Sequence, residues 1–140
     1  MKNRDTLIRL KRFQVDEKRR RVAQIEAMIA EFDRMGAELT REIAAEESRS
    51  GHTDPSHFAY PTYARAALAR RDNLRRSADE LKAQYEDAKR GLEEAFEEMK
   101  KVEVLDDRER ALERAEDKAR DLALMDEAAG RSADRHARRA

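Results

Sequence analysis

The chain has 140 residues, 31 of them Lys or Arg and 31 Asp or Glu, so charged residues make up 44% of it and the formal net charge is zero. Of its 55 hydrophobic residues 24 are Ala, and Trp and Cys are absent. That excludes a sheet, which needs the β-branched and aromatic residues scarce here, a disulfide scaffold, a thiolate metal site and a large single core, and it points to long helices.

The first predicted element is a helix over about residues 4–49. Ile8, Val15, Val22, Ile29, Gly36 and Ile43 recur every seven residues at one heptad position, called a, and Ile25, Phe32 and Leu39 fill the d position. Such a stripe, with charge on the remaining faces, argues for a coiled coil. The seam weakens toward the N-terminus, where Lys11 and Lys18 take the d positions.

Both prolines and Gly51 then fall in one stretch, 48–61. Gly51 suits the left-handed conformation that ends a helix. Asp54 before Pro55 reads as a cap opening a short turn, and Pro61 fits the first position of a second helix. The connector is placed at about residues 50–60.

A second helix over about 61–128 repeats the heptad. Ala67, Leu74, Leu81, Ala88, Ala95 and Val102 share one position, and Ala78, Tyr85, Leu92 and Met99 share the other. After Val102 the apolar pattern slips by about one residue, continuing through Leu105, Leu112 and Ala119 beside Ala115 and Leu122. Gly91 falls inside this helix and costs it roughly 1 kcal/mol against Ala. Gly130 and the Arg/Ala-rich end make 131–140 a basic tail, expected to be disordered.

Narrow Ala-rich stripes are not stable alone, because helices in proteins draw most of their stability from packing. The expected architecture is therefore all-α: residues 1–130 form one antiparallel coiled-coil hairpin, with Asn3 opposite about residue 105 and a shaft of about 70 Å. Beyond about residue 108 the second helix overhangs, carrying Leu112, Leu122, Leu124 and Met125 without an intramolecular partner. A longer intermolecular bundle is the competing arrangement.

No sequence motif for catalysis is present: there is no Gly-rich phosphate loop, nucleophile elbow or zinc motif. The expectation is a non-enzyme without cofactor or metal. His52, Asp54 and His57 cluster in the connector as candidate metal ligands, against a reading as solvated loop residues. Glu93/Glu94 and Glu97/Glu98 resemble acid–base pairs, but charge runs on helices generally mark solvated faces. No apolar run approaches the length of a membrane span, and the start lacks the apolar core of a signal peptide, so a cytoplasmic location is expected.

Neutrality hides a segregation of charge. Residues 1–21 hold nine basic and three acidic residues, while Asp79 to Asp117 holds fifteen acidic and eight basic. Residues 131–139 are basic again, with Arg131, Arg135, Arg138 and Arg139 against Asp134. The basic start suits an acidic protein partner, or internal pairing with the second helix. Nucleic acid is not expected, since the whole chain is neutral and no aromatics interleave the basic residues. At the bend, His57, Phe58, Tyr60 and Tyr63 fall within seven residues. They either pack beneath the turn or form a binding patch.

The run 4–20, RDTLIRLKRFQVDEKRR, together with the connector 57–67, HFAYPTYARAA, resembles the FliJ family of flagellar export proteins in its alphaproteobacterial form. That resemblance implies a stalk-like component of the flagellar type III export apparatus. Such a stalk binds the ring of the export ATPase FliI, reaches the export gate protein FlhA, associates with export chaperones, and is peripheral at the cytoplasmic face of the inner membrane. By position, Arg4, Arg9, Lys11, Arg12, Arg19 and Arg20 would face the ATPase ring, and Phe58, Tyr60 and Tyr63 the gate. The alternatives are a general export chaperone and an unrelated coiled-coil tether.

Overall fold

The computed structural model describes residues 2–139, so Met1 and Ala140, the outermost residues of the expected hairpin and tail, lie outside the described residues. Among the described residues all regular structure is helical: α1 is Lys2–Ser50 and α2 is Thr62–Arg139. The two run antiparallel and pack on each other as an all-α hairpin. The chain divides into two units, residues 11–96 and residues 1–10 with 97–140.

In the 11–96 unit, α1 stops where Gly51 enters the left-handed region at φ 77°, and its N–H donates to the Glu47 carbonyl at 2.9 Å. This closes the last turn with the only residue type that takes that conformation without steric penalty. Asp54 then organises the connector. Its Oδ1 accepts from the Ser56 N–H at 3.0 Å and its carbonyl from the His57 N–H at 3.0 Å. Pro61 caps α2 rather than opening it. Its carbonyl accepts the Arg65 N–H at 3.0 Å, and Thr62 is the first helical residue.

The core of this unit is the predicted seam. Val15, Ile25, Leu39 and Ile43 of α1 are buried, and Val22, Ile29 and Phe32 are half-buried. From α2, Ala64, Ala67, Ala78 and Leu81 are buried, with Leu74, Tyr85 and Leu92 half-buried. The division of sizes is physical: branched side chains on α1 meet mainly Ala on α2, so the large residues of one helix fill the space the small ones leave. Each fully buried Val, Leu or Ile contributes about 1.5–3 kcal/mol. Where the seam weakens, Lys18 lies over Gly91, its Cδ 3.8 Å from where a Cβ on Gly91 would stand. The long side chain thus lies across the backbone there, with its Nζ 3.9 Å from the same point.

In the unit of residues 1–10 and 97–140, Ile8 and Met99 are buried and Val102 is half-buried. The expected one-residue slip after Val102 does not occur in the packing. The heptad continues unbroken, Asp106 takes the seam position at 7% exposure, and Leu105 and Leu112 are 57% and 61% exposed. One residue is roughly 100° around a helix, so following the apolar pattern would have turned the carboxylates of Asp106, Glu109 and Glu113 away from Arg4. On this face the ion pairs described below stand where apolar packing would otherwise be.

From Arg114 to Arg139 every residue is exposed, so the overhang starts a few residues later than expected. Its helix passes the predicted end near 128 and includes Gly130 and residues 131–139, the stretch expected to be disordered. Ion pairs one turn apart, Arg120–Asp117 at 3.0 Å and Arg131–Glu127 at 3.6 Å, support it locally. Among the described residues no helix is long and apolar enough to cross a membrane.

Candidate binding surfaces

The candidate sites are two surfaces, the bend and the basic stretch of α1. The bend of the 11–96 unit separates its aromatic residues by role. Tyr60 is 3% exposed, and its hydroxyl donates to Glu47 Oε1 at 2.9 Å. Burial and the adjacent Glu47 carboxylate push its pKa up. Arg65 stands 5.8 Å from its ring centroid and donates to the Pro55 and His57 carbonyls at 3.1 and 3.3 Å, tying the turn to the first residues of α2. Tyr60 is thus buried in the turn as a structural anchor, whereas Phe58 and Tyr63 of the candidate gate-facing set are exposed.

Phe58 is the opposite case at 92% exposure. Its ring stacks on His57 at 4.7 Å, and His57 stacks on His52 at 4.4 Å, forming a three-ring ladder on the turn. The Ala59 N–H donates to His57 Nδ1 at 3.0 Å, which fixes the middle ring. Tyr63 is intermediate: 54% exposed, with its hydroxyl donating to Glu42 Oε2 at 2.6 Å. That hydrogen bond, then burial, raises its pKa.

The metal reading of His52, Asp54 and His57 does not assemble, and no group of three or more His, Asp or Glu among the described residues is placed to hold an ion. Asp54 Oδ1 is engaged by the Ser56 N–H and by its hydroxyl at 2.7 Å, and these bonds hold the carboxylate pKa below its ordinary value. Glu93, Glu94, Glu97 and Glu98 are exposed.

The basic residues of α1 also divide. Arg12, Arg19 and Arg20 of the 11–96 unit are exposed, and Lys11 is half-buried. Arg20 pairs with Glu17 at 2.5 Å within its own helix. Arg19 forms no ion pair among the described residues.

In the other unit Arg9 is exposed and likewise has no ion pair among the described residues. Arg4 is committed internally. Its guanidinium lies 2.6 Å from Glu109, 2.9 Å from Glu113 and 3.6 Å from Asp106. Burial opposes its charge, but the hydrogen bonds and fields of Glu109 and Glu113 outweigh that and raise its pKa. Arg110 bridges the same group, 2.9 Å from Asp106 and 3.1 Å from Asp5. Arg4, one of the candidate ring-facing residues, is therefore engaged within the chain and acts as the clamp of this unit.

Three roles were not read from the sequence: Asp106 as a seam residue, Arg65 as the tie of the bend, and Glu26, Glu42 and Glu47 as acceptors for tyrosine hydroxyls. Tyr85 donates to Glu26 at 3.1 Å. The acidic run opposite the basic start was the available signal for the first, while the others depend on loop and cross-helix geometry. No protein-family model, curated protein or solved structure matches this chain.

Proposed function

We propose that this chain is a stalk-like, non-catalytic component of a flagellar type III export apparatus of the FliJ kind, binding the export ATPase FliI at its basic stretch and the gate protein FlhA at its bend. The observation that carries the reading is Phe58. A 92%-exposed aromatic ring, held out by stacking on His57 rather than folded under the turn, is a preformed contact in a chain with few aromatics. Aromatic side chains of this kind dominate interface energetics because they bury a large area at little entropic expense. The same unit carries exposed Arg19 and Arg20 near its other end, chemistry suited to steering onto an acidic protein face. Such a component acts by joining partners, works in the cytoplasm at the inner-membrane face, and also accommodates export chaperones.

The tests are binding measurements with purified partners. Reversing Arg9 and Arg19 to Glu weakens FliI binding, most at low salt, with helical content unchanged. Phe58→Ala weakens FlhA binding and spares FliI binding. FliI affinity at low salt that ignores both reversals, or FlhA binding indifferent to Phe58, refutes the assignment.

A further inference from the structure

We propose that residues 105–129 of α2 pair with the same segment of a second copy of this chain, as a two-fold, antiparallel coiled coil. The segment presents an apolar stripe that the fold leaves uncovered: Leu112 is 61% and Leu122 54% exposed, with Ala115 and Ala119 exposed between them. A helix whose apolar stripe faces water lacks the packing from which helices in proteins draw their stability.

What specifies the occupant is the order of residues along the stripe. Arg108, Leu112, Ala115, Ala119, Leu122 and Asp126 follow the alternating four- and three-residue steps of a heptad seam. Read backwards, the list keeps its spacing and complements its chemistry. In a two-fold contact residue i meets j and j meets i. With the axis beside Asp117, Ala115 meets the second copy's Ala119, Leu112 its Leu122 and Arg108 its Asp126, each layer occurring twice. Leu105 against Ala129 extends the seam at both ends.

Other pairings leave Arg108 without an opposite charge in the seam. A parallel pair sets Arg108 on Arg108 and Asp126 on Asp126. An antiparallel pair shifted by one heptad either way sets Arg108 against Ala119 or Ala133, with no carboxylate opposite it in the seam. Among the described residues neither Arg108 nor Asp126 forms an ion pair within the chain, so both charges are available.

The stripe also lies roughly 100° around α2 from the Arg4-facing carboxylates, so the clamp and the contact do not compete. The two-fold sets Glu116 and Lys118 each near its own copy on opposite flanks. These exposed like-charge pairs weaken the association, so it is to be measured across a wide concentration range. The inference is independent of the flagellar reading.

The experiment is sedimentation equilibrium of the full chain, with circular dichroism to check that each variant keeps its helices. Wild type forms a dimer at high concentration. Arg108→Asp and Asp126→Arg alone each face a like charge in the seam and raise the dissociation constant by about tenfold or more. Mixed in equal amounts they associate again, because each Arg then meets an Asp across the contact; the double swap Arg108→Asp/Asp126→Arg does so by itself. A wild type that stays monomeric at every concentration overturns the proposal. So does a dimer that ignores the single reversals, or one that the mixture fails to restore.

Discussion

Gly36 offers a direct test of how the two helices of the 11–96 unit meet. It occupies an a position of the α1 seam, where an apolar side chain is the norm, and lines a groove of about 210 Å³ with Phe32, Thr40 and Leu74 among its walls. A Cβ placed on Gly36 meets nothing within 4 Å. Gly36→Ala therefore gains helix propensity without a steric penalty, about 0.8–1 kcal/mol. Gly36→Leu extends into the groove and adds up to about 1.5 kcal/mol of apolar burial.

At this chain length 1 kcal/mol corresponds to a shift in Tm of roughly 4 °C. Thermal and urea melts followed by circular dichroism should rank Leu above Ala above Gly at position 36. Gly51→Ala is the opposing control. Its φ of 77° penalises any Cβ, and the variant should lose roughly 1–2 kcal/mol. A Gly36→Ala variant less stable than wild type refutes the reasoning, since it requires α1 and α2 to lie closer at this level than an open groove allows.

The bend predicts a contrast between neighbours: Phe58→Ala should leave the melt within about 0.5 kcal/mol of wild type, as surface changes do, while Tyr60→Ala should cost about 3 kcal/mol through the buried space it empties. Equal losses for the two would contradict the division of roles. Tyr60, Tyr63 and Tyr85 all have phenols with pKa values raised above the ordinary 10.0, Tyr60 chiefly by burial, and Tyr63 and Tyr85 chiefly by donating to Glu42 and Glu26. The unfolded chain thus loses these protons first on going alkaline. Their stabilisation is complete below pH 10 and is lost as the pH rises through the folded values. The urea midpoint should fall above pH 10 more steeply in wild type than in a variant with Phe at all three positions; parallel slopes would show that the hydroxyls contribute nothing.

The sequence by itself determined the helices, the break and most of the seam, because each is a local or periodic signal. Gly51 and two prolines within eleven residues leave one place for the chain to turn, and a seven-residue recurrence of Ile, Val and Leu marks one face of α1 without reference to anything else. Antiparallel pairing then follows, since a short connector returns the second stripe along the first. Two ambiguous points needed the tertiary structure. Beyond Val102 two faces one residue apart compete, one apolar through Leu105 and Leu112, the other acidic through Asp106 and Glu113. Periodicity favours the first, and Arg4 decides for the second by clamping carboxylates across the helices. At the bend no periodicity exists, so composition could gather Phe58, Tyr60 and Tyr63 without sorting them. Only the fold of the turn sends Tyr60 inward to Glu47 and leaves Phe58 in water, because in an irregular segment the direction of each side chain follows from hydrogen bonds made by residues around it, such as Asp54 and Arg65, rather than from its place in a repeat.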